Sequence, residues 1–424
     1  MKIYLDWVGC RLNESEIERM AAQFVAAGHV LVDNPAEADR VVINTCAVTG
    51  EAASDSRGKI RHAARSGHAE IAVTGCWVTM QPAAAAQLPG VQWTIGNPEK
   101  EGLVAAVLDR DPAEFELQPL ERHPLPGARF RTRAFIKAQD GCDNFCTFCI
   151  TRVLRGRGRS QPLKAIIADI QASRRSGAQE LVLTGVHLGS WGRDLNPPQT
   201  LADLVRQVLV ATDAPRLRLS SVEPWDLGPD FWQLWRDPRL CQHLHLPLQS
   251  GCGTTLRRMA RKVTPDSFAA LVQAARASAP DIAITTDVIV GFPGETDAEF
   301  AESLAFIQEI EFAGGHVFTF SPRPGTPAAQ LPELPALSVR KQRNAQLRAV
   351  FAAAAQRYHR RFIGQVLPVL WESTDSLGPQ GWHLHGLTSN NLRVSAFSPA
   401  RLWNQISAVR LEALTDDGLS GTIL

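Results

Sequence analysis

No apolar run in this 424-residue chain approaches the roughly 18–20 residues that a bilayer-crossing helix needs, so no membrane association is expected. The N-terminus, MKIYLDWVGC, carries Asp6 where a secretory signal would need an unbroken apolar core. Net charge is lacking as well: 44 − 43 leaves a formal +1, and a polyanionic partner has to be met by local patches rather than by the overall field. Eight cysteines are too few for a disulfide scaffold. In a cytoplasmic, reducing compartment, the expected location, they are thiols, and the question becomes what those thiols hold. An apolar share of 45% with 21% charged residues excludes a wholly disordered chain, a collagen and a coiled coil. The length implies two or three domains.

What is present is a β-α rhythm. Short apolar runs KIYLDWV (2–8), ADRVVINT (38–45) and EIAVTG (70–75) alternate with amphipathic stretches at 14–27 and 50–66. This pattern predicts a small, open, largely parallel α/β sheet. QPLERHPLPGAR (118–129) has neither period and reads as a linker. The alternation resumes with AFIKAQD (134–140), QELVLTG (179–185), RLRLSS (216–221), HLHLPL (243–248), IAITTDVIVG (282–291) and GHVFTFS (315–321), with helices expected at 163–176 and 298–310. Six such units, spaced by about 30–40 residues, predict a parallel sheet curled into part of a barrel. A basic helix follows at 338–362, carrying Arg340, Lys341, Arg343, Arg348, Arg357, Arg360 and Arg361 and no acid. From 364 to 424, short strands and turns suggest a small antiparallel barrel. The expected fold is therefore α/β in three parts: an open α/β domain (1–117), a partial (βα)6 barrel (128–358) and a small β-barrel (361–424).

The cysteines carry the chemistry. GCDNFCTFC places Cys142, Cys146 and Cys149 at C-x3-C-x2-C directly after a strand. Three thiolates on one short loop converge on a single soft metal centre. A structural zinc usually takes four ligands in pairs, and no second C-x2-C or H-x3-H lies nearby. A 4Fe-4S cube held by three thiolates keeps one iron open for a cofactor. Cys10, Cys46 and Cys76 each stand one or two residues past a candidate strand, in VGC, NTC and TGC. In a parallel α/β sheet the loops after the strands leave on one edge. Spacing alone leaves two readings of this trio open, a second metal site or three small core residues. Cys241 and Cys252 lack a third neighbour and read as buried thiols, and His243 and His245 as hydrogen-bonded strand residues.

Together with GCRLNESE (9–16), VINTCAVT (42–49), VTGC (73–76), RGRGRS (155–160), LTGVHLGSWG (183–192), RLSSVEP (218–224), LPLQSG (246–251), TTDVIVGFPGET (285–296) and FSPRPGTPA (320–328), these motifs run in order along nearly the whole chain. In them the chain resembles the methylthiotransferase branch of the radical S-adenosylmethionine (SAM) enzymes. VINTCAVT and GCRLNESE are most like the subgroup acting on threonylcarbamoyladenosine in tRNA. One departure follows Cys149, where the family often has an aromatic or Pro before Arg-Gly and this chain reads ITRVLRG with Arg152.

The resemblance implies two 4Fe-4S clusters, an auxiliary one on Cys10, Cys46 and Cys76 and a SAM-cleaving one on Cys142, Cys146 and Cys149. It implies a C-terminal TRAM domain, SAM as cofactor, a reducing electron donor and the anticodon stem-loop of tRNA as partner. An unactivated aromatic C–H is beyond side-chain acid–base chemistry, so the cofactor has to supply a radical. SAM contacts are expected from Glu180 with the strand edge at Gln179, from Thr184 and Gly185, from Ser220 and Glu223, and from the turn Gly291, Phe292, Pro293, Gly294. Arg152, Arg155, Arg157 and Arg159 are candidate phosphate contacts, as is the basic helix. The TRAM-like end has three Lys/Arg (Arg393, Arg401, Arg410) against five acids (Glu372, Asp375, Glu412, Asp416, Asp417), a weak electrostatic grip. Two alternatives keep the chemistry and change the substrate, to isopentenyladenosine in tRNA or to a ribosomal-protein aspartate. A third makes the chain a non-catalytic Fe–S RNA-binding protein.

Overall fold

The computed structural model describes residues 1–67, 69–115 and 132–424. The expected linker at 118–129, and the boundaries at 117 and 128, lie outside the described residues.

The first sheet is built from β1 (Lys2–Trp7), β2 (Val30–Val32), β3 (Arg40–Thr45), β4 (Glu70–Gly75) and β5 (Val91–Ile95), ordered β2-β1-β3-β4-β5. All its pairings are parallel. Val41, Val42 and Ile43 are buried on both faces, the near-continuous apolar run of a covered parallel strand. The helix Arg11–Ala26 packs Ile17, Met20 and Phe24 on one face, and Gly50–Ser66 packs Ile60 on the other. Two strands escaped the sequence reading. Both are edge strands with no fully buried residue, so neither carries an unbroken apolar signal.

The second unit begins with β6 (Arg133–Asp140), to which the two-residue β7 (Arg159–Ser160) adds antiparallel, followed by β8 (Glu180–Gly185) and β9 (Arg216–Leu219). β10 (His243–His245), β11 (Ala283–Val290) and β12 (Gly314–Thr319) form a second parallel run. Single bridges Leu217–Leu240 and Ser221–His245 join the two runs into an open barrel of six parallel strands. One buried cluster packs Ile136, Leu183, Leu219, Leu244 and Ile284 of the strands against the surrounding helices, among them Ile166, Val205 and Ile307. Between β9 and β10 the crossover is made of 3-10 turns, Pro224–Asp226 and Pro229–Arg236.

The helix Leu337–Arg360 returns along the barrel, burying Leu347 and Phe351 in its core and Tyr358 in the next. Part of its charge is structural: Arg343 pairs with Glu295 and Asp297, both at 2.6 Å. The chain ends in a closed barrel ordered β13-β14-β15-β17-β16, from β13 (Val366–Gly378), β14 (Gly381–Thr388), β15 (Arg393–Ser398), β16 (Ile406–Thr415) and β17 (Gly418–Ile423). Its core is Val369, Trp371, Leu384, Val394, Val409, Leu411 and Leu419. Among the described residues, no helix is long and apolar enough to cross a membrane.

Candidate functional site

Because β1, β3 and β4 are parallel neighbours, the loops leaving their C-terminal ends emerge together. Cys10, Cys46 and Cys76 stand at those three exits. Gly9 has φ +100°, and a Cβ on it would lie 2.6 Å from the Cys46 Sγ. Only glycine lets the first cysteine loop pass so closely over the second. Asn13 Nδ2 donates to the carbonyls of Val8 (2.7 Å) and Thr45 (3.2 Å), tying the same two loops. Burial pushes the Cys46 thiol up to about 11; the Val48 amide opposes this, and negative charge on Cys10 and Cys76 adds to it. Three thiols gathered at one edge of a sheet are soft donors suited to a cationic centre.

The second trio sits past the end of β6. Gly141 (φ +72°) turns the chain against the Arg157 carbonyl, and the Cys142 amide donates to Gly156 O at 3.1 Å. Thr147 anchors the loop: its amide donates to Met259 O (3.1 Å), its hydroxyl to Arg258 O (2.9 Å), and its carbonyl accepts from Ala328 (2.9 Å). The Arg261 guanidinium reaches the Cys146 Sγ at 3.7 Å and Glu223 at 2.7 and 3.2 Å, and rests on Trp225 4.5 Å from the ring centroid. Burial pushes Cys146 up to about 11, with Arg261 pulling down and Glu223 pushing up. His187 Nε2 lies 2.6 Å from Asp226, and Asn144 Nδ2 lies 3.4 Å from its Nδ1. Burial alone would lower His187, yet hydrogen bonds to Asp226 and Cys142 raise it to about 9.

All eight cysteines are free thiols. Among the described residues, the group of His, Cys, Asp or Glu drawn within 4.8 Å is Asp375, His383 and His385 on the last barrel, not either cysteine trio. A single tetrahedral zinc, with bonds of about 2.3 Å, would hold its sulfurs about 3.8 Å apart. Neither trio is drawn that tightly, which argues against a single zinc on three of these thiols.

The two trios are joined by buried contacts between domains. Ile150 and Leu154, just past Cys149, belong to the same apolar cluster as Trp77 and Val78, just past Cys76. Asn97 Nδ2 spans the seam, 3.5 Å from Cys76 Sγ and 3.0 Å from Leu154 O. Arg155, only 5% exposed, donates to Glu16 (2.9 Å), Asp140 (3.0 Å) and Asn13 (2.7 Å). Lys100 completes the set on Glu16 at 2.7 Å.

The expected SAM residues divide. Thr184 and Gly185 end β8 beside Gln139, and Ser220 follows β9 with its Oγ buried and without a hydrogen-bond partner. Glu223 faces the second trio through Arg261. Glu180 does not join them. It opens β8, at the barrel end away from the cysteine loops, and is locked on Arg218 at 2.6 and 3.0 Å. Arg218 and Arg216 in turn donate to carbonyls of the last barrel: Thr388, Ser389, Leu387 and Pro368. Gly291 (φ +68°) also differs from expectation, because the space a Cβ would fill is taken by the Arg340 side chain, and Phe292 is buried against Phe320. Arg155, expected at phosphate, is an interior ion-pair residue.

His243 and His245 share the Thr285 hydroxyl, each at 3.0 Å. Burial pushes Cys241 up to about 12, 3.8 Å from Glu180. Sequence reasoning missed Asn13, Asn97, Asn144, His187, Asp226 and Arg261. Asn13 lies in the first turn of a helix and Asp226 in a 3-10 turn, the others in loops, and no apolar periodicity marks any of them.

Residues 2–96 match the model of the uncharacterized protein family UPF0004, and residues 136–307 match that of the radical SAM superfamily. The fold agrees: the radical S-adenosylmethionine methyltransferase TsrM of Kitasatospora setae superposes with a TM-score of 0.59 over 77% of each chain, at 15% identity. The class is thus that of the radical SAM enzymes. More narrowly, the chain belongs to the radical SAM methylthiotransferase family. It is 36% identical to the threonylcarbamoyladenosine tRNA methylthiotransferase MtaB of Thermotoga maritima, over 87% of this chain and 86% of that one. It is 35% identical to the Bacillus subtilis MtaB (91% and 88% covered) and 32% identical to the tRNA-2-methylthio-N(6)-dimethylallyladenosine synthase of Maricaulis maris (100% and 97%).

Proposed function

We propose that this chain methylthiolates carbon 2 of N6-threonylcarbamoyladenosine beside the anticodon of tRNA, giving 2-methylthio-N6-threonylcarbamoyladenosine. The observation that carries the reading is the pair of MtaB relatives at 35 and 36% identity, each matched over at least 86% of both chains. The two cysteine trios across one domain seam support it. In this reading the division is 1–117 for the auxiliary-cluster domain, 128–358 for the radical SAM core and 361–424 for a TRAM-like barrel. Cys10, Cys46 and Cys76 hold the auxiliary 4Fe-4S cluster, and Cys142, Cys146 and Cys149 hold the second. When bound, the clusters and SAM supply the one-electron chemistry and the methylthio group.

The chain's own residues do the rest. Thr184, Gly185, Ser220 and Glu223 line the strand ends where SAM would lie, and the unpartnered Ser220 Oγ is a ready hydrogen-bond group there. Glu223 keeps Arg261 against Cys146, and Trp225 caps that guanidinium. Asp226 fixes the His187 imidazole through its Nε2, beside Asn144 of the Cys142 loop. The anticodon stem-loop is the partner, together with a reducing electron donor, in the cytoplasm.

Nucleoside mass spectrometry of tRNA from a strain lacking the gene, with and without complementation, tests this. The methylthio form should vanish while threonylcarbamoyladenosine persists. Unchanged nucleosides would overturn the reading, and loss of the methylthio-isopentenyl nucleoside instead would transfer the chain to the dimethylallyladenosine group.

A further inference from the structure

One side chain on the Cys142–Cys149 loop is left unused by folding. Phe145, in the three-residue gap between Cys142 and Cys146, is 69% exposed. The other ring of the same loop, Phe148, packs against the cluster of Met259, Phe292, Phe320 and Ala328. The loop therefore has an apolar seat for an aromatic, and Phe145 is held out of it. Arg152, in the short helix that follows, lays its guanidinium over the Phe145 ring 3.6 Å from the centroid, a close cation–π contact. With one ring face under Arg152 and most of the side chain in solvent, the opposite face is open. Val153, 63% exposed, extends the apolar surface. Arg157 and Arg159 continue it with positive charge, whereas Arg155 turns inward to Glu16.

A flat ring backed by a cation, standing beside a cysteine centre and flanked by arginines, is complementary to one chemical shape. Unpaired nucleobases present a flat π face and stack on aromatic rings and guanidinium planes, while their phosphates seek arginine. An apolar peptide side chain would call for a groove instead.

We propose that Phe145, stiffened by Arg152, is a stacking platform for an unpaired base of the RNA loop brought to the cysteine centres. This rests on the tRNA reading above and adds which side chain receives a base.

The test uses the full chain with its iron restored, iron and sulfide assayed per chain, and a fluorescein-labelled anticodon stem-loop with adenosine 3′ of the anticodon. Anisotropy gives Kd for the unaltered protein, Phe145→Leu, Phe145→Trp and Phe145→Ala. Leu and Ala should weaken binding by about 5- to 150-fold, the range for losing one aromatic–base stack, and Trp should hold it. A series of stem-loops made abasic at one loop position at a time should contain one on which the Leu penalty disappears. Phe145→Leu binding like the unaltered protein overturns the platform. So does a penalty that persists on every abasic RNA, or a Leu variant that loses iron, since that would make the ring part of the cluster scaffold. If the tRNA reading itself fails, the unaltered protein will bind the stem-loop no tighter than duplex RNA of equal length and leave tRNA nucleosides unchanged. Failure of the platform alone leaves both intact.

Discussion

At the scale of single residues, the clearest constraint is Gly9. Its φ of +100° would strain any L side chain, and the added Cβ would stand 2.6 and 2.7 Å from the Cys46 Sγ and Cβ. That neighbour is a buried cysteine rather than the loose end of a flexible chain, so it has nowhere to go. On the proposed two-cluster reading, Gly9→Ala is expected to push the first two cysteine loops apart and lower bound iron by about half, the share of one of two equal clusters. Iron per chain in the purified protein checks this; full iron content in a folded Gly9→Ala protein would contradict it. The arginines teach a different lesson. In RGRGRS, Arg155, Arg157 and Arg159 look alike, yet one is buried among two carboxylates and the others face outward. Charge is visible in a sequence; its partner is not.

At the scale of elements, the seam between the first sheet and the barrel is held by charge as well as by apolar packing. Glu16, on the helix after Cys10, is fully enclosed. Burial by itself would raise its pKa, but Lys100, Arg155 and Lys137 together hold it well below the usual glutamate range. The folded protein therefore keeps Glu16 ionised at pH values where the unfolded chain takes up a proton. Its stabilising contribution is complete above the unfolded pKa and is lost as pH falls toward the folded one. Glu16→Gln should flatten the acid side of the stability profile. At neutral pH it should also cost about 3–5 kcal/mol, because Lys100 then loses its buried counter-charge and Arg155 one of its two. Urea unfolding of both proteins across the acid range measures this, and equal slopes would refute it. The short helix Thr151–Arg155 is the element that makes the seam matter. It follows the last cysteine of one trio, and its Leu154 and Arg155 both end in the domain that holds the other.

At the scale of the molecule, the last barrel is fastened to the base of the partial barrel, opposite the cysteine loops. Arg216 and Arg218 reach out of β9 to four of its backbone carbonyls, and Glu180 neutralises Arg218 from β8. Glu180→Ala should loosen this dock without touching either cysteine trio. The expected result is faster cleavage near residue 364 in limited proteolysis with iron content unchanged, and an unaltered digestion pattern would count against the dock.

Much of this organisation was readable from residues alone. The β-α beat, the six barrel strands and both cysteine spacings are short-range patterns, and backbone geometry translates short-range period directly into strand or helix. Even the misplacement of Glu180 had a local clue, since it begins its strand and loops carrying chemistry follow strand ends. What only the tertiary structure decided were relations between distant segments: the half-exposed edge strands β2 and β5, Arg340 filling the space at Gly291, and the contacts of Asn13, Asn97 and Arg155 across the seam. These depend on which surfaces meet after the domains close. A chain records the identity of each group, but burial and partnership arise only when segments far apart in sequence exclude water between them.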